Sequence, residues 1–389
     1  SEPARMSERV GRRALLRTAS LGTAGGLAGC LRLTATDEPS TDRPTSTSET
    51  SGVTDSARTE TPSLFGAGPD WTLDAQGSDI VTFGGTFYLS TWVSRQILAV
   101  RPVGTVEWET EQLGKFKRNS LAATESMLVG CGYGGRITAV ERTSGELLWN
   151  FTGGRYDSWS AKPLVTDQYV IGVSQGDTDE SDDAFVVYVL DRTSGEVIDT
   201  IEYTDRRSPI GSVGVIDGAL YVASFNVLDL YTLDTRSQVA SYDEFLYGSS
   251  HARDGDLFVA TSNNVYRYRL SDSSHSQVWG ATLRGSVGDL RFVSDGILAN
   301  GEAGVFKLGY DGERRWWGET DAFVDRPVVI DEDVFALDRY HQLRAFDSGT
   351  GDLRAEATLP SEGLPLAPIA SVDGTLLVGV EPLLAYEIR

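Results

Sequence analysis

Residues Ala139 to Phe151 read A-V-E-R-T-S-G-E-L-L-W-N-F. An extended apolar run turns at Ser144-Gly145, and a tryptophan stands four residues after the glycine, the pattern of a β-hairpin with a large apolar side chain just beyond it. The pattern returns seven more times, in part or in full. With Val140 as reference, the equivalent positions are Val100, Leu190, Leu233, Tyr268, Leu308, Phe346 and Tyr386. Their spacings run 40, 50, 43, 35, 40, 38 and 40, and the long one carries the insertion Gly176 to Ala184.

Within a unit the order is constant: a small-residue strand, a turn, an apolar strand such as Met127-Leu128-Val129-Gly130-Cys131, a tight turn, then the strand that enters the hairpin. Polar turns at Asp217-Gly218, Gly255-Asp256, Asp295-Gly296 and Asp373-Gly374 precede the second strands. Four strands per unit at a period near 40 residues, with no sustained helical periodicity, predict an all-β chain of eight propeller blades. Seven is the alternative if the unit around Ser271 to Trp279 is misread. The last unit ends one strand short at Ala385-Tyr386-Glu387-Ile388-Arg389, and Pro69-Asp70-Trp71-Thr72-Leu73 has the look of the missing outer strand. Pairing the two would close the ring and remove both sheet edges.

The units resemble the repeat of the pyrroloquinoline-quinone-like propeller family: an apolar strand, a Gly-x-Gly turn, an apolar or aromatic pair, Asp-x-x-Thr-Gly, then Trp. Leu128 to Phe151 matches throughout, and Val187 to Ile201 and Leu343 to Leu359 match through Asp191-Arg-Thr-Ser-Gly195 and Asp347-Ser-Gly-Thr-Gly351. The resemblance implies that Trp71, Trp108, Trp149, Trp279 and Trp316 dock each blade on the next, with Asp199, Tyr242 and Ala355 at the remaining positions. A quinone-binding dehydrogenase of this resemblance would also carry a vicinal disulfide, a bridged calcium and a catalytic aspartate. Cys131 is the single thiol of the expected propeller, so that disulfide cannot form and no cofactor is expected.

The N-terminus reads as an address. Arg12-Arg13 followed by a leucine pair and the weakly apolar Thr18 to Ala28 match a twin-arginine export signal, and Leu27-Ala28-Gly29-Cys30 resembles a lipobox with Cys30 as the lipid attachment point. Thr34 to Ser63, almost wholly Thr, Ser, Asp, Glu and Pro, cannot bury enough surface to fold and reads as a disordered tether. The expected organisation is signal 1–29, lipidated cysteine and tether 30–66, and propeller 67–389, exported and held on the outer face of the cytoplasmic membrane.

Acidic residues outnumber basic ones 56 to 34, for a net charge of −22, and the only lysines are Lys115, Lys117, Lys162 and Lys307. That balance argues against nucleic acid and resembles a haloarchaeal protein, because a Debye length of roughly 3 Å in molar salt screens the self-repulsion. Asp177, Asp179, Asp182 and Asp183 in the insertion offer hard oxygen ligands for Ca²⁺ without the glycine and distal glutamate of an EF-hand loop. Cys131 between glycines reads as a buried strand residue, since no helix follows to make a phosphate loop. His251, His275 and His341 show no metal-ligand spacing and read as loop polarity, as does Ser249-Ser250-His251 with Asp254.

The functional expectation is a non-enzymatic scaffold for an unidentified protein partner, with Phe151 to Trp159, Gly176 to Ala184 and Tyr203 to Pro209 as candidate loops. The alternative is a carbohydrate binder or extracellular enzyme using the central funnel. That alternative predicts a perturbed carboxylate cluster and exposed aromatics, with Trp92, Trp159 and Trp317 as the side chains to inspect.

Overall fold

The computed structural model describes residues 64–66, 68–153, 158–159, 162–175, 185–203, 210–224, 226–245, 249–271, 274–360 and 367–388, all within the compact unit Thr59–Arg389. Arg12, Arg13, Cys30, the tether to Ser63, and Asp177, Asp179, Asp182 and Asp183 lie outside the described residues.

Eight antiparallel sheets follow one another along the chain as eight blades, and among the described residues there is no helix. In blade two the strands are Phe116–Ala123, Met127–Gly132, Arg136–Glu141 and Leu147–Thr152, running from the axis outward. Blade three has its innermost strand in two pieces, Ser158–Trp159 and Leu164–Val165. The eighth blade takes its outermost strand from Trp71–Leu73, which pairs with Leu383–Glu387 through Trp71 opposite Ala385. The ring is closed by its two ends, so no sheet is left a strand short.

Alternation puts apolar side chains of the middle strands against both neighbouring blades, and the core is a series of clusters between sheets. Leu128 and Val140 meet blade one, while Val129 and Ala139 meet blade three. Leu64 and Phe65 lie just ahead of the boundary expected at 67, yet Phe65 is buried edge-on to Phe335 and Tyr386 between blades seven and eight.

The outer hairpins carry the docking device. In blade three Asp191 accepts from the amides of Thr193 and Ser194, Gly195 donates back to the Asp191 carbonyl, and Gly195 takes φ +73°, which favours glycine. A Cβ at Gly195 would come within 2.5 Å of Trp149 of the preceding blade, whose indole N–H donates to the Arg192 carbonyl at 2.8 Å. Trp71, Trp108, Trp279 and Trp316 likewise donate to Pro102, Arg142, Tyr310 and Ser348 of the following hairpin. Each buried tryptophan contributes about 2–3 kcal/mol through apolar area.

Three junctions depart from this pattern. In blades one to seven the third strand has a bulge at the reference position, as between Ala139 and Val140, and in unit four it falls at Tyr231, not the expected Leu233. Asp234 imitates the turn aspartate; the turn itself begins at Thr232, whose carbonyl accepts from Arg236. Arg236 therefore occupies the glycine position with φ +52°, and its Nε meets Asp199, where a tryptophan is missing, at 2.8 Å. In blade four the docking position is consequently Ala240, and Tyr242, two residues further along, reaches the next hairpin by donating to the Ser271 carbonyl at 2.6 Å. At blade seven Ala355 packs against the cluster completed by Phe65, because the third and fourth strands of blade eight come from distant parts of the chain and no hairpin joins them.

Candidate functional site

The innermost strands can be aligned through their ladders. Val81, Ala122, Leu164, Gly214, His251, Arg291, Val328 and Ala370 pair with equivalent second-strand residues, Tyr88, Val129, Ile171, Tyr221, Phe258, Leu298, Phe335 and Leu377. Two residues earlier, in blade order, stand Asp79, Ser120, Lys162, Ser212, Ser249, Asp289, Arg326 and Pro368. One register position thus supplies a belt of polar and charged residues, one per blade, interrupted only by proline.

The charged members act on one another. Lys162 of blade three is within electrostatic reach of Asp79 of blade one, Asp289 of blade six and Arg326 of blade seven. In a ring of eight, groups from those four blades can meet only around the axis. Burial pushes the Asp79 carboxyl up against the opposing pull of Lys162, Arg326 and the amides of Leu121 and Ser120. Burial likewise pushes the Lys162 amine down against the attraction of Asp79, so both groups lean toward their neutral forms. No described carboxylate lies within ion-pair distance of Lys162. Its side chain meets solvent although many protein atoms surround it.

The two carboxylates are engaged by neighbours. Asp79 accepts from the backbone N–H of Ile80 at 3.0 Å and of Ser120 and Leu121 at 2.8 Å, tying blade one to blade two. Asp289 accepts from Leu290 N–H at 2.9 Å, Ser249 Oγ at 2.5 Å, His251 Nε2 at 2.7 Å and Arg326 Nε at 3.0 Å. Burial alone would raise the Asp289 pKa; His251, Arg326 and Ser249 outweigh it and hold the carboxyl well below the usual range.

This corrects the loop-polarity reading of His251, which sits on the innermost strand Ser249–Arg253 beside an acid of the next blade. The acid is Asp289, not Asp254, which is exposed in the turn against Arg253. Ser249, His251 and Asp289 do not form a hydrolytic triad: Nε2 meets both the hydroxyl, at 3.2 Å, and the carboxylate, and the serine donates straight to the acid. His275 lies on the outer strand Ser274–Thr282 and packs edge-on to Tyr242 and Tyr268, so it too is a packing residue.

Cys131 is buried on Met127–Gly132 in the core between blades two and three. Trp92 and Trp317 are half-buried: Trp92 is edge-on to Tyr133 at 6.1 Å, and Trp317 stacks on Phe306 at 5.9 Å with its N–H on the Ala303 carbonyl. The side chain of Trp159 lies outside the description. A pocket of about 280 Å³ between blades five and six is lined by Arg253, Asp254, Phe258, Arg267 and Tyr310. Sequence reading missed the belt. Its available signal was a basic residue before proline at the start of two units, Lys162-Pro163 and Arg326-Pro327, where proline holds the preceding residue extended.

Sheet order, closure and the repeated hairpin define an eight-bladed β-propeller. Residues 67–279 match the family model described as "Outer membrane protein assembly factor BamB", and the chain belongs to that family. Among solved structures, BamB from Moraxella catarrhalis is similar at 13% identity and a TM-score of 0.61, over 82% of this chain and 97% of that one. The computationally designed Ika8 protein matches at 10% identity and 0.66, over 84% of this chain and 100% of its own. Sqt1 from Saccharomyces cerevisiae matches at 9% and 0.64, over 82% and 98%. At such identities the likeness concerns the fold. No curated protein matches the chain by sequence.

Proposed function

We propose that this protein is a non-enzymatic protein-interaction scaffold, carried to the outer face of the cytoplasmic membrane by its twin-arginine segment and held there by lipid at Cys30. Family membership supports a scaffold in general terms. The observation that carries the reading is on the rim of blades two and three. Their outermost strands, Leu147–Thr152 and Val197–Tyr203, each open with two successive apolar side chains, Leu147-Leu148 and Val197-Ile198, between 41% and 50% exposed. Outermost strands present unpaired backbone groups, and apolar side chains on such an edge favour association. Sheet edges are commonly guarded with charge, and these four positions lack it.

The test is recovery of bound proteins from membranes in molar salt, comparing the wild type with Leu148→Arg plus Ile198→Arg. A defined protein recovered with the wild type and lost with the double variant supports the scaffold. A partner retained by that variant removes the rim from the account, and recovery of small molecules alone ends the scaffold reading.

A further inference from the structure

The hydrogen-bonding capacity of the belt is lopsided. Its acceptors are engaged: Asp79 by three backbone N–H groups and Asp289 by four donors. Its donors are not. Lys162 has no carboxylate within ion-pair distance among the described residues, and Arg326 gives Nε to Asp289 with further guanidinium N–H groups beyond it. The Oγ of Ser212, in the blade next to Lys162, is enclosed with no partner. An enclosed hydroxyl left unpaired, as at Ser212, costs about 1–3 kcal/mol, and with the spare N–H groups of Lys162 and Arg326 it leaves the belt short of an acceptor.

Lys162 and Arg326 occupy the same register position in blades three and seven, which stand four blades apart and so face each other across an eight-membered ring. We propose that the axis of this propeller binds a small monocarboxylate, its negative charge shared between Lys162 and Arg326. A cation is disfavoured, because it would have to displace Arg326 from Asp289 and leave that cation unpaired. A phosphate, at about −1.5 to −2 charge, would scale its attraction to the two cations and its repulsion by the two carboxylates alike, while its desolvation cost rises with the square of the charge and favours the monoanion. A neutral sugar would not supply the negative charge that favours the protonated form of the Lys162 amine. The pocket between blades five and six offers less, because its arginines are taken: Arg267 by Asp256 and the Tyr310 carbonyl, Arg253 by the Tyr310 hydroxyl.

The experiment is calorimetric titration of the full chain with propionate, propionamide and inorganic phosphate at constant ionic strength. The expected result is binding of propionate, none of propionamide, and weaker binding of phosphate. Lys162→Met should weaken propionate by about tenfold or more, the loss of one charged hydrogen bond, and Lys162→Arg should keep it. Lys162→Met removes a side chain with no ion-pair partner among the described residues, so the fold is expected to survive, and thermal unfolding without ligand verifies that. If Lys162→Met does not fold, Ser212→Ala takes its place, with propionate expected to bind more weakly. Absence of propionate binding to the wild type, equal affinity in the chosen variant, or tighter binding of phosphate overturns the proposal. The titration uses no protein partner, so its outcome is independent of the scaffold reading.

Discussion

The outer hairpin and the innermost belt are two positions of the same repeat, and they have been treated in opposite ways. At the hairpin five of eight blades use one device, a tryptophan whose N–H meets a carbonyl of the next blade's turn. Where the device is lost, another takes over the same contact: Arg236 with Asp199, Tyr242 with the Ser271 carbonyl, Phe65 near Ala355. At the belt there is no common device. Aspartate, serine, lysine, arginine and proline share one register position. A ring of blades needs every junction closed, so the junction repeats; the axis has no such requirement, so its residues are free to differ and can be chosen for what they bind.

The largest effect expected from this contrast is at the hairpin. Trp149→Ala removes a buried indole from a packed junction and should lower stability by about 3–5 kcal/mol, read from urea unfolding. A loss below 1 kcal/mol would mean that the junctions are not what holds the ring.

Asp289 is the belt member most tied to structure, and its removal should rank second. Asp289→Ala leaves Arg326 and His251 without their acid and should cost about 3 kcal/mol near neutral pH, the low end for a broken buried pair because 17% of its side chain is exposed. Its folded pKa lies below the ordinary value of 3.8, so its stabilisation is complete above 3.8 and is lost as pH falls below it. The gap between wild type and Asp289→Ala should therefore narrow in acid; a gap that widens there would reverse the assigned sign.

Smaller still is the substitute junction. Asp199→Trp and Arg236→Gly together rebuild the common device, whereas either alone leaves half of each. A double-mutant cycle should show about 1 kcal/mol of favourable coupling, reduced by the 43% exposure of Asp199. Additivity within 0.3 kcal/mol would separate the two residues into unrelated substitutions.

The hairpins were legible in the sequence because tryptophan and glycine recur at a fixed offset and each has a physical need there: area to bury, and a positive φ beneath an indole. The closing strand was legible through Trp71 for the same reason. Unit four was placed two residues late because Asp234 offers a turn aspartate that the backbone does not use. The belt was invisible for a different reason. Its members share no residue type, so only the ladder shows that Asp79, Lys162, Asp289 and Arg326 are one position. His251 likewise gave no sign of Asp289, which is 38 residues away on the next blade.

The division of labour between the two positions is tested most directly by urea unfolding of Trp149→Ala and Lys162→Met side by side with the wild type. The account predicts a large loss for Trp149→Ala and, for Lys162→Met, stability within about 0.5 kcal/mol of the wild type, since Lys162 meets solvent and has no ion-pair partner among the described residues. If Lys162→Met loses as much as Trp149→Ala, the belt belongs to the fold, and the separation drawn between rim and axis is wrong.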